Sequence, residues 1–363
     1  MSTTGTSAGT TGADGVLPRP RGASASPRVA WADAGKGAAI ALVVLTHATI
    51  FVEVAGHSSA EWNAFNSLIV GARMPLFFAV SGLFAASALA RPWGEALRRR
   101  VVPSAWLFVV WLVVTTAFFA AGPWPDWGQA DGARDLATTL VLPDTELWYL
   151  YALVLHALVA LATRRLPAAV PLAGAAVLSV LVGAGWLATG SWGLDDTLAN
   201  LVFFLAGVHG RRVLTALGER VRPLTTAALL VGYLLFAGVV GRLDLHLVPG
   251  VPLVRGALGT AAAVACCALL VRWWPRTPLL ALGRSTLPVY VTHVLVLAAL
   301  ARAVRLLAPG ELPGPVRLLL PPALALVAVL VGYALRGPLA RVPWLMAAPA
   351  ALTRRPRPAG ARA

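Results

Sequence analysis

The sequence predicts an all-α integral membrane protein, a bundle of about ten transmembrane helices with both termini in the cytoplasm. Three observations carry that expectation. Of 363 residues, 58% are hydrophobic and only 12% charged, with a mean hydropathy of +0.75. Soluble chains carry about twice that charged share. Apolar runs close to the roughly 20 residues that cross a bilayer recur along almost the whole length. Arginines collect in alternate connections between those runs, as the positive-inside rule requires of cytoplasmic loops.

Composition also excludes several classes. The net charge of +15 comes from the loop arginines, and no zinc ribbon or basic stripe with interleaved aromatics accompanies it, so nucleic acid is not an expected partner. Cys266 and Cys267 adjoin inside an apolar run. A bridge between such neighbours would be strained, so they read as small core residues, and no metal site is expected.

Taken in order, residues 1–30 are rich in Ser, Thr, Gly and Ala and read as a disordered cytoplasmic tail. They are not a signal peptide, because the first apolar run starts near residue 37 and continues as a full span. Residues 31–345 form the transmembrane unit, with expected spans at 37–55, 66–90, 101–121, 147–163, 168–188, 197–210, 224–241, 253–271, 283–301 and 317–335. Residues 346–363 read as a basic cytoplasmic tail. The basic connections are marked by Lys36, by Arg91 with Arg98, Arg99 and Arg100, by Arg164 and Arg165, by Arg211, Arg212, Arg220 and Arg222, and by Arg272 and Arg276. The alternate connections are basic-poor or acidic, notably at Asp126, Asp131, Asp135 and Asp144. Arg302 and Arg305 depart from the pattern, since they fall at an outer end. Tryptophans near span ends (Trp106, Trp124, Trp127, Trp192, Trp273, Trp274) form an interfacial belt. The expected location is the cell membrane, with multiple passes through the bilayer.

Polar groups inside spans are the informative residues, because each is costly unless it is paired or faces a wet cavity. Lys36, the single lysine of the chain, precedes His47 by eleven helical steps. Those steps return to within about 20° of the same face after a rise of roughly 16 Å, which puts the imidazole near mid-membrane. Arg73 lies roughly 12 Å inside the second span, followed by Pro75, Ser81 and Gly82, which loosen the helix and favour a cavity. In the ninth span Tyr290 and His293 share a face, with His293 near mid-depth. Three helices thus each place an ionisable group near mid-membrane, a coincidence that favours a shared polar cavity over three separate interhelical hydrogen bonds. His156 stands alone in its span and reads as structural. A neutral imidazole in a dry site serves as general base toward a hydroxyl, and a buried guanidinium stabilises a developing oxyanion. No nucleophile elbow, HExxH or paired intramembrane carboxylate competes with that reading.

The local strings resemble the membrane-bound acyltransferase-3 family, and most closely its fucose 4-O-acetylase-like branch. Trp31-Ala-Asp33-Ala-Gly-Lys36-Gly37 leading to Val43-Val-Leu-Thr46-His47 is similar to the family's opening signature, a basic residue followed at this spacing by a histidine. Arg73-Met-Pro-Leu-Phe77-Phe78-Ala-Val-Ser81-Gly82 resembles the second-helix motif, and Leu147-Trp148-Tyr149-Leu150 the fourth-helix motif. The stretch from Leu282-Gly283-Arg284-Ser285 to Tyr290 and His293 resembles the late pattern. Arg98, Arg99 and Arg100 before Pro103 stand where the family has a basic cluster. A contiguous triplet replaces the two arginines spaced three apart, so which residue takes that role is open.

The resemblance runs from about residue 31 to 335. It implies transfer of an acyl group, usually acetyl from acetyl-CoA, to a hydroxyl of a carbohydrate or glycosylated acceptor. By that likeness His47 is the expected catalytic base, or a transient acyl carrier, with Lys36 and Arg73 shaping the site. The arginine triplet is placed to meet CoA phosphates, a role that ordinary positive-inside charge rivals. Ser81, Trp148, Tyr149, Tyr290 and His293 are expected to line the cavity. The acyl-CoA is a donor substrate rather than a resident cofactor. The alternative reading is a transporter or flippase for a sugar or lipid-linked substrate.

Overall fold

A computed structural model describes residues 29–124 and 132–353. The expected N-terminal tail, the far end of the basic C-terminal tail, and Asp126, Trp127 and Asp131 lie outside the described residues. Among the described residues every regular element is helical. The main helices are α1 (Ala30–Val54), α2 (Ala60–Leu89), α3 (Trp93–Ala120), α4 (Trp148–Ala162), α5 (Ala169–Gly183), α6 (Trp192–His209), α7 (Arg211–Glu219), α8 (Pro223–Arg242), α9 (Val251–Trp273), α10 (Pro278–Arg284), α11 (Thr286–Leu307) and α12 (Gly314–Ala340).

Each expected span falls on one of these helices. Seven are long and apolar enough to cross a membrane, and α6 joined to α7 across a 78° bend makes an eighth. The other two, α4 and α5, have 15 residues each, about 22 Å of helix against a hydrocarbon core of about 30 Å. An irregular segment leads into α4. Just before α4, Thr145, Glu146 and Leu147 are all buried, so this non-helical backbone lies inside protein rather than in lipid.

Two ends differ from expectation. The first helix begins at Ala30, before residue 37, because Trp31 and Asp33 are themselves buried against the bundle. From Pro343 onward the described chain folds back over α3, where the indoles of Trp106 and Trp111 donate to the carbonyls of Trp344 and Leu345, each at 2.7 Å. The out-of-pattern Arg302 also finds a use. It donates to the Pro123 carbonyl at 2.8 Å and lies over the Trp124 ring, tying α11 to the end of α3.

Helix α2 is the hub, packed most closely against α6 and α9. Lipid gives little hydrophobic drive between helices, so close approach and dispersion must hold them. Gly82 of α2 and Gly207 of α6 supply that approach. A Cβ on Gly82 would strike the Phe204 carbonyl, and one on Gly207 the Ala79 carbonyl. This crossing, with Phe78 and Phe204 fully buried beside it, fixes the helix that carries Arg73 and Ser81.

Candidate functional site

The α1–α11 contact brings His47 and His293 together. His293 has no exposed surface, and its Nδ1 lies 2.6 Å from the Tyr290 carbonyl. A carbonyl only accepts, so in the neutral ring Nδ1 carries the hydrogen and Nε2 keeps the lone pair. That Nε2 lies 3.0 Å from His47 Nδ1. His47 must therefore donate from Nδ1, which leaves Nε2 as its basic nitrogen. The Val43 carbonyl one turn back is a further acceptor at the His47 ring, and in this tautomer it shares the Nδ1 hydrogen with His293. The two rings stand 4.8 Å apart between centroids.

His47 lines a cavity of about 460 Å³ toward the arginine-poor helix ends, while His293 stands behind it, outside the wall. Arg73 lines the same cavity and donates to the hydroxyl of Thr46, the residue preceding His47. Thr46 is in turn 3.0 Å from Asn66 Oδ1. The guanidinium is thus pinned beside the imidazole by a neutral hydroxyl. Its Nε is buried with no hydrogen-bond partner, and Asp196 supplies a nearby opposite charge.

A second cavity, of about 280 Å³, lies toward the basic ends and holds Lys36, Ser81 and Arg100. Phe77, Tyr149 and Tyr290 line both cavities and so form the wall between them. That wall is braced. Tyr149 stacks on Phe77 at 4.4 Å and hydrogen-bonds Ser81 at 2.5 Å, and Tyr290 donates to the Glu146 carbonyl at 2.7 Å. Trp148 faces the His47 cavity only. Lys36 shares a helix stripe with His47 but falls on the other side of the wall. Its Nζ is 3.1 Å from Asp33 and 4.6 Å from the centre of the Phe84 ring.

A local irregularity separates the arginine triplet. Leu97–Val101 is a π-helical turn, which widens the winding and changes the direction of successive side chains. Arg100 points into the basic-end cavity and donates to the Phe84 carbonyl. Arg99 turns outward to Glu95 at 3.0 Å, and Arg98 lines neither cavity. His156 hydrogen-bonds the Thr197 carbonyl at 2.8 Å and packs on Phe78 and Phe204, a strut between α4 and α6.

Sequence reasoning missed Glu146, Asp196, Asn200 and Arg255, all of which line the His47 cavity. Asp196 fell just outside the span drawn from 197, and Glu146 just outside the one drawn from 147. Arg255 lay two residues inside its span, and a charge at that depth was the signal that marked it.

A helical membrane protein with a hydrogen-bonded histidine pair, His293 buried and His47 half-buried, at the edge of an internal cavity is the class that this geometry defines. Residues 29–337 match the family model described as Acyltransferase domain, and the chain belongs to that family, the acyltransferase-3 membrane acyltransferases. The inner membrane protein YcfT of Escherichia coli (strain K12) is 28% identical over 211 residues, covering 52% of this chain and 58% of YcfT. The matched stretch is thus less than two thirds of that relative. No solved structure matches the chain.

Proposed function

We propose that this protein moves an acyl group, acetyl in the first instance, from acyl-CoA to a hydroxyl of a carbohydrate or glycosylated acceptor at the cell membrane. The observation that supports this reading most is the hydrogen-bonded chain from the Tyr290 carbonyl through His293 to His47, a residue that lines the cavity. In the proposed reaction that nitrogen takes the hydroxyl proton as the acceptor oxygen attacks the thioester carbon. Arg73 faces the oxyanion that forms there. Collapse of the tetrahedral intermediate breaks the C–S bond, and the proton held on His47 passes to the departing CoA thiolate. The products are the ester and free CoA, with charge and protons balanced. The cations of the basic-end cavity, Lys36 and Arg100, suit the phosphates and pantetheine arm of the donor.

Membranes carrying wild type or His47→Ala, incubated with acetyl-labelled acetyl-CoA and a total envelope extract, test the proposal. Label in an alkali-labile product with wild type alone supports it. Equal labelling with both folded proteins removes His47 from the chemistry. The two cavities on opposite sides of one wall also suit a transport path, and substrate counterflow without acyl transfer would favour that reading.

A further inference from the structure

The lining of the His47 cavity includes a cation that the chemistry above does not use. Arg255 sits in the second turn of α9 and is only 6% exposed. Its Nη2 donates to the Ser67 carbonyl, and it hydrogen-bonds the Tyr233 hydroxyl. Both partners are neutral. Among the described residues no carboxylate lies within 4.0 Å of it. Its Nε is buried without any hydrogen-bond partner, and the side chain lines the cavity.

Of the two acids that line the same cavity, Asp196 acts electrostatically on Arg73, and the Glu146 carboxylate accepts from Thr145 at 2.8 Å; neither forms an ion pair with Arg255. A buried guanidinium without a counter-ion is costly and persists when a ligand completes it. The sequence also makes room for this one. A Cβ on Gly71 of α2 would collide with the stem of Arg255, and Gly259, one turn further along α9, lets the same two helices touch.

We propose that Arg255 is an oxyanion subsite, so that the acceptor is a hydroxyl compound bearing a carboxylate or phosphate. The anionic group docks on Arg255 at the arginine-poor end while a hydroxyl of the same molecule reaches His47. This rests on the acyl-transfer reading for its second half, but the anion site itself is open to test without turnover. The probes are glucuronate against glucose, and glycerol 3-phosphate against glycerol, titrated by calorimetry into the purified full-length protein in detergent. At least one anion is expected to bind in clear preference to its neutral counterpart, and which one does so distinguishes carboxylate from phosphate. Arg255→Gln is expected to weaken that binding about tenfold or more, the worth of a charged hydrogen bond. Arg255→Lys, which keeps the charge, is expected to retain most of it.

The proposal is overturned if neither anion binds, if the neutral compounds bind as tightly, or if Arg255→Gln binds the anion like wild type. It is also overturned if Arg255→Gln loses acyl-CoA binding instead, since the anion held would then be the donor's. Should that variant fail to fold, the anion-against-neutral comparison on wild type still decides. Failure here with His47-dependent transfer intact removes the anionic acceptor and leaves the acyl transfer standing.

Discussion

The two cavities on either side of the Tyr149 wall use their charged residues differently. On the basic side, Lys36 and Arg100 already have acceptors, Asp33 and the Phe84 carbonyl, and they offer charge from fixed positions. On the other side, Arg73 and Arg255 each keep a buried Nε without a partner, and His47 is held by a chain of hydrogen bonds that defines its tautomer. On the proposed reading, the first cavity attracts the donor and the second holds the reaction. Distance along one helix does not reveal this, because Lys36 and His47 share a stripe of α1 and are divided only by residues from α2, α4 and α11.

The largest effect should come from breaking the reactive side. His47→Ala is expected to lower kcat by about 10²–10⁴-fold, the usual worth of a general base, measured as initial transfer rates at saturating donor. His293→Phe removes the acceptor of the His47 Nδ1–H without touching the cavity wall. It is expected to lower kcat by roughly 10–100-fold, the usual worth of a group that orients a functional imidazole, with KM for the donor little changed. A loss confined to KM would place His293 in binding instead.

On the attracting side, Arg100→Ala is expected to raise KM for acyl-CoA about tenfold with a smaller change in kcat. Added salt should narrow the gap between it and wild type as charge is screened. Arg99→Ala, which removes an exposed pair with Glu95, is expected to change KM less than about twofold. Equal effects of the two substitutions would mean that the π-helical turn does not sort the triplet. Away from both cavities, Gly207→Val would force a side chain into the Ala79 carbonyl. Overpacking of this kind costs about 1–3 kcal/mol or more, seen as a lowered thermal midpoint in detergent.

Much of the fold was legible because apolar length and arginine placement are one-dimensional signals. Every expected span is a helix, and the exceptions are local. The short helix α4 is preceded by buried irregular backbone around Glu146, which a hydropathy window reads as loop. The convergence of His47, Arg73 and His293 was also legible, since depth follows from counting 1.5 Å per residue on each helix. What counting cannot supply is rotation and neighbours. It did not show that His293 stands behind His47 rather than in the wall, or that Ser81 and Tyr149 brace a partition. The direction of Arg100 was hidden for a different reason, because a π-helical turn changes the residues per turn on which any helical-wheel argument depends. Asp196 was obscured by a span boundary uncertain by a few residues, the scale on which a charge passes from mouth to interior, whereas Arg255 lay inside its drawn span and was legible there as an intramembrane charge.

The central claim is that the Tyr290 carbonyl and His293 fix the proton of His47 on Nδ1 and leave Nε2 basic toward the cavity. Solid-state NMR of ¹⁵N-histidine-labelled protein in bilayers, with His47 assigned by its loss in His47→Gln, measures this directly. The expected result is a protonated Nδ1 and an unprotonated Nε2 on His47, with the Nδ1 proton hydrogen-bonded to His293 and the pattern lost in His293→Phe. A His47 protonated on Nε2, or one whose tautomer is unaffected by removing His293, would contradict it.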